Sequence, residues 1–86
     1  MRVVVIGKEF SEYNREVEDF MRDFEARTGV EVERIDPETK EGETFCRARD
    51  VVQYPTVIVE TEEGKILGEY RGTPLPGIDE VFSYLK

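Results

Sequence analysis

Two stretches of this chain are unbroken runs of β-branched residues, and two others alternate strictly between apolar and polar. Arg2-Val3-Val4-Val5-Ile6, ended by Gly7, is the first continuous run and predicts a strand buried on both faces. Between about Ser11 and Thr28, Val17, Phe20, Met21 and Phe24 recur at helical spacing and form one apolar stripe. Glu18–Arg22 and Asp23–Arg27 stand four apart on that helix in the favourable order. Ser11 suits its N-cap, and Gly29 stands where a left-handed stop is wanted. Val30-Glu31-Val32-Glu33 alternates, so a second strand with one wet face, at a sheet edge, is expected there. Asp36-Pro37 breaks it. A second helix, Glu41 to Val51, would turn Phe45, Ala48 and Val52 inward, although Gly42 blurs its start. Thr56-Val57-Ile58-Val59 is the other continuous run. Glu62-Glu63-Gly64-Lys65 reads as a hairpin turn, and Ile66 to Arg71 alternates again. After the loop Gly72 to Gly77, a final helix lines up Ile78, Val81, Phe82 and Leu85.

The order is β-α-β-α-β-β-α. Doubly buried first and third strands belong in the middle of a sheet, and half-exposed second and fourth strands at its edges. The pattern therefore predicts an α/β domain with a four-stranded mixed sheet ordered 2-1-3-4, flanked by helices. Its first two strands are parallel through a right-handed crossover, and its last two form a hairpin. Residues 1–86 leave room for one domain and no second lobe.

Composition narrows the function classes. Charged residues make up 37% of the chain and hydrophobic ones 38%, with the apolar positions ordered rather than thinned out. That charge-rich balance, with one Cys and two Met, is also found in heat-adapted proteins. A net charge of −8 argues against nucleic acid, whose phosphates need a basic patch, and against anionic membrane surfaces. No cationic-then-apolar leader and no apolar run of membrane-spanning length is seen. A lone cysteine forms no internal disulfide, so a reducing cytoplasm is the expectation. A monomer is expected as well.

The element order, with Tyr54-Pro55-Thr56 opening the third strand, Glu63-Gly64-Lys65 at the hairpin and Gly72 after the fourth strand, resembles the thioredoxin/glutaredoxin superfamily. The resemblance spans essentially the whole chain. It implies a cis peptide bond before Pro55. It also implies that the main chain of Tyr54, beside the start of the first helix, pairs with an extended substrate segment. The chain departs from the family where chemistry is concerned. The place of the family's C-x-x-C reads Ser11-Glu12-Tyr13-Asn14. Disulfide exchange needs a thiolate, and a helix start helps by lowering a thiol's pKa. A serine does not substitute, and with no histidine in the chain nothing pairs with it as a base. The dithiol mechanism is absent. The chain is further similar to small bacterial thioredoxin-like proteins sharing the Thr73-Pro74-Leu75-Pro76 loop, which offer no settled activity to transfer.

Candidate site residues follow from that placement, each beside a plainer role. Ser11 and Asn14 would face a ligand at the helix start, where free N–H groups favour anions, or Ser11 simply caps the helix. Lys8 would help an anion there, and Glu9 and Glu12 would oppose it. Tyr13, Tyr54, Pro55, Gly72 and Thr73 would line a shallow peptide groove, unless Tyr54 packs under the first helix and Tyr13 faces solvent. Cys46, flanked by Arg47 and Arg49, is either an inert small residue near the margin of the buried face or a redox-active monothiol. Pro74-Leu75-Pro76 reads as a stiff connection. Glu60-Thr61-Glu62-Glu63 reads as a solvated hairpin tip without metal-binding geometry. No metal or cofactor is expected. The functional expectation is a non-catalytic module that binds an extended peptide or protein segment. The alternatives are redox chemistry or a redox-sensitive dimer through Cys46, and a stable scaffold with no partner.

Overall fold

The computed structural model describes residues 1–85. Four strands form one sheet in the order β2-β1-β3-β4. β1 (Arg2–Ile6) lies parallel to β2 (Val32–Ile35) and antiparallel to β3 (Thr56–Glu60), which pairs antiparallel with β4 (Ile66–Arg71). The helices are α1 (Asn14–Thr28), α2 (Lys40–Ala48) and α3 (Ile78–Phe82), the last running on into a 3₁₀ turn at Ser83–Leu85. The two continuous apolar runs are indeed the central strands. Val3, Val4, Val5 and Ile6, with Val57, Ile58 and Val59, are wholly inaccessible to solvent.

Because side chains alternate along a strand, the sheet carries two cores. Val3, Val5, Val57 and Val59 pack with Val17, Phe20 and Phe24 of α1 and Val81 of α3. On the other face Val4, Ile6 and Ile58 pack with Cys46 and Val51. Among the described residues, no helix is long and apolar enough to cross a membrane.

Several boundaries differ from the sequence pattern, each for a local reason. α1 begins at Asn14 and not at Ser11, because residues 8–13 form a loop that folds back on Lys8. Gly29 closes α1 with φ at 73°, as the pattern requires. Arg22 pairs with Asp19 and Asp23 (3.1 and 3.5 Å) rather than with Glu18. β2 starts two residues later than the alternation suggests. Val30 donates its N–H to Thr28 Oγ1 (3.1 Å), and Val32 donates to the Glu25 carboxylate (3.0 Å), so the turn after α1 uses these groups first.

α2 turns a different face inward than expected. Ala48 and Val52 are exposed, whereas Gly42 and Cys46 are buried. Thr39 caps this helix by accepting from the Gly42 N–H at 3.0 Å. A Cβ at position 42 would lie 1.8 Å from the Asp36 carbonyl oxygen, so only glycine lets the helix seat here. In β4, a register shift opposite Val59 and Glu60 puts both Leu67 and Tyr70 against the α1–α3 core, which strict alternation forbids.

The largest correction concerns Glu60. It is not part of a solvated hairpin tip but the last residue of β3, 1% exposed, on the α2 face. Arg2 donates to one carboxylate oxygen at 2.7 Å. Arg49 donates to both oxygens, at 2.7 and 3.1 Å. The Arg49 guanidinium also stacks 3.5 Å from the Phe45 ring centre. Burial by itself would raise the Glu60 pKa. Hydrogen bonds and charge from Arg49 and Arg2 outweigh it and hold the carboxyl below its usual range.

Candidate functional site

Ile6, Thr56 and Arg71 are register partners across the sheet, and Ile6 also pairs with Ile35. The residues one step beyond this row form one end of the molecule. Gly7 donates its N–H to the Ile35 carbonyl at 3.0 Å, and Gly72 donates to the Pro55 carbonyl at 2.7 Å. A Cβ on Gly7 would stand 3.0 Å from the Tyr13 ring and 3.8 Å from Pro55. The β1–α1 loop, the turn before β3 and the residue after β4 therefore meet. Among the sequence candidates, Pro55 and Gly72 are hydrogen-bonded, and Tyr13 and Pro55 both stand against Gly7. The Tyr54–Pro55 and Thr73–Pro74 bonds are cis, and Gly72 has φ at 80°.

The β1–α1 loop is tied up by its own hydrogen bonds, and Lys8 is the hub. Its N–H donates to the Tyr13 hydroxyl at 2.8 Å. Its carbonyl accepts from Ser11 Oγ at 2.8 Å and from the Arg34 guanidinium at 3.3 Å. Arg34 also donates to Asn14 Oδ1. Ser11 thus donates to a carbonyl instead of capping α1. The cap position is held by Tyr13, with no side-chain hydrogen bond to the helix. Tyr13 is neither on solvent nor free; it packs against the α1–α3 core. Arg34 is a site residue that motif reading missed, as is the main-chain role of Lys8. Lys8 acts through its main chain, which no side-chain pattern reveals, and Arg34 reaches the loop from an edge strand.

Tyr54 belongs to the opposite face. It packs with the α2-side core rather than under α1, and Lys8 Nζ lies 5.7 Å from its ring centre. Burial, followed by its hydrogen bond and charge interaction with Cys46, pushes the Tyr54 phenol up. Among the described residues, neither the main-chain N–H nor the carbonyl of Tyr54 takes part in a hydrogen bond. Thr73 and Gln53 are exposed beside it, and the Gln53 amide lies over Gly72.

Cys46 is 4% exposed, well inside the margin where its helical spacing placed it. Burial pushes its thiol up, against the opposing influence of the Tyr54 hydrogen bond and the Arg49 charge. That is the reverse of activation, since nucleophilic cysteines have a lowered pKa and an accessible sulfur. Among the described residues, the Ser11 hydroxyl has no base in its hydrogen bonds; it donates to the Lys8 carbonyl. Among the described residues, no group of acidic, histidine or cysteine side chains is arranged to hold a metal ion. The geometry offers hydrogen bonding, ring surface and a free main-chain edge.

No protein-family model and no curated protein matches the chain in sequence. Among solved structures, the chain is similar to thioredoxin 1 from the thermophilic eubacterium Thermosipho africanus TCF52B, with a TM-score of 0.70 and 16% identity. The match covers 99% of this chain and 90% of that one. Sheet order, strand directions and this overlap agree: the chain has a thioredoxin-like fold.

Proposed function

We propose that this protein is a non-catalytic binding domain that holds an extended polypeptide segment along Tyr54, between the β1–α1 loop and Gly72–Thr73. The observation that carries the reading is the unpaired main-chain N–H and carbonyl of Tyr54, at the end of the sheet where Pro55, Tyr13 and Gly72 converge. An extended segment satisfies such an edge by strand addition, drawing affinity from main-chain hydrogen bonds. Its single cysteine suits a reducing cytoplasm, and we take the protein to act as a monomer. Ser11 and Asn14 support the site by fixing the loop, through the Ser11 hydroxyl on the Lys8 carbonyl and the Asn14 Oδ1 under Arg34.

The test is titration of the ¹⁵N-labelled protein with a reduced, alkylated polypeptide that cannot form disulfides. Shifts should concentrate at the Tyr54, Gly72 and Thr73 amides. Shifts confined to the outer surfaces of α1 and α3 would place binding elsewhere.

A further inference from the structure

On the α2 side of Tyr54 lies a shallow depression of about 300 Å³ that the loop reading does not use. Cys46, Val51 and Tyr54 line it together with Pro37, and Val52 and Asp50 stand at its rim. Val52 is 77% exposed, one of few large apolar side chains left in water. Asp50 holds a left-handed conformation (φ 55°) and is exposed, with no ion-pair partner among the described residues. The other carboxylate on the lining, Glu43, is already paired with Arg47.

We infer that this depression is the side-chain subsite of the Tyr54 edge, and that it takes an aliphatic residue whose C-terminal neighbour is Lys or Arg. This rests on the peptide-binding reading above and specifies its ligand. A strand laid along Tyr54 sends alternate side chains to opposite sides, so one of them points toward α2. There it meets Val51, Val52 and the Tyr54 ring, and a Leu-sized group removes that apolar surface from water. The rim supplies the second preference. Asp50 is its unpaired charge, and the chain as a whole carries −8, which repels an acidic neighbour and attracts a basic one.

Calorimetry with three blocked Ser/Thr hexapeptides, carrying Leu-Lys, Leu-Glu or Ala-Lys at the centre, tests this at low salt. The Tyr54 amide shift is followed in parallel. Leu-Lys should bind roughly tenfold more tightly than Ala-Lys, as loss of a buried aliphatic group requires. It should exceed Leu-Glu by about fivefold, a margin that shrinks at high salt. Asp50→Asn, which keeps a residue tolerant of the left-handed backbone, should erase the second preference and leave the first. Val52→Arg, at an exposed position, should erase the Leu preference without unfolding the domain. If all three peptides shift Tyr54 with equal affinity, the subsite is wrong and the groove reading stands. If none shifts Tyr54, both fall.

Discussion

On the α1–α3 side the sheet presents Val3, Val5, Val57 and Val59 to Phe20, Phe24 and Val81, with aromatic contacts linking Phe24 to Phe20 and Phe82. On the α2 side, Val4, Ile6 and Ile58 share the surface with Thr56 and the carboxylate of Glu60. The first face is covered by two helices. The second is covered by the nine residues of α2 and by Val51 and Tyr54 in the segment that follows it. At one end of this second face, Phe45, Arg2 and Arg49 close over Glu60. At the other end lies the depression beside Cys46 and Tyr54. The two faces differ in kind: one is packed from apolar and aromatic side chains, and the other closes over a buried carboxylate and borders a surface depression.

The sharpest way to break this contrast is Phe24→Ala. Phe24 is wholly buried under α1, and its truncation should cost about 3–5 kcal/mol in denaturant unfolding, a large share of what a domain this size has. A loss below 1 kcal/mol would mean that face is not the main core. Glu60→Gln comes next. It leaves two guanidiniums facing a neutral amide and should cost about 2–3 kcal/mol. That is less than for wholly enclosed pairs, because the Arg2 side chain is still 34% exposed. Gly42→Ala should cost roughly 1–2 kcal/mol despite alanine's better helix propensity, since the Asp36 carbonyl must move. Val52→Ser should change stability by less than about 0.5 kcal/mol, as expected of a side chain left 77% exposed.

The pH profile separates the two faces as well. Glu60 has its pKa lowered in the folded state, so its contribution is complete above the unfolded value of about 4.3 and is lost as pH falls through the lower folded value. Acid unfolding followed by circular dichroism should therefore show a limb below about pH 4 that Glu60→Gln flattens. Tyr70 behaves oppositely on the other face. Its hydrogen bond with Tyr84 (3.4 Å between hydroxyls), with burial, pushes it up to about 12. Its contribution is complete below the unfolded value of about 10 and is lost as pH rises from there to the folded value. Tyr70→Phe should reduce that alkaline loss of stability in thermal melts.

Much of the fold was legible because strand burial and strand placement agree: unbroken Val/Ile runs became the central strands, and alternating ones the edges. Gly29 marked its helix end for a backbone reason that sequence exposes directly. What escaped depended on distant partners. Glu60 follows Thr56 and Ile58 on one face of a strand, so period-2 counting already points it inward. Only Arg2, from the other end of the chain, and Arg49 make a buried carboxylate tolerable there. The inward face of α2 was misread because the chain leaves the helix at Ala48, so helical spacing no longer governs Val51 and Val52. At the candidate site, the meeting of Tyr13, Pro55 and Gly72 was legible through the resemblance. The locking of Ser11 and Asn14 by Lys8 and Arg34 was not, since main-chain acceptors leave no mark in a sequence.

Amide hydrogen exchange at Tyr54, with and without a saturating alkylated polypeptide, bears most directly on whether this end of the molecule holds a ligand by main-chain pairing. Exchange should be rapid in the free protein and markedly slower in the complex, with no mass added to Cys46. Unchanged exchange at Tyr54 in a demonstrably bound complex, or a covalent adduct on Cys46, would contradict it.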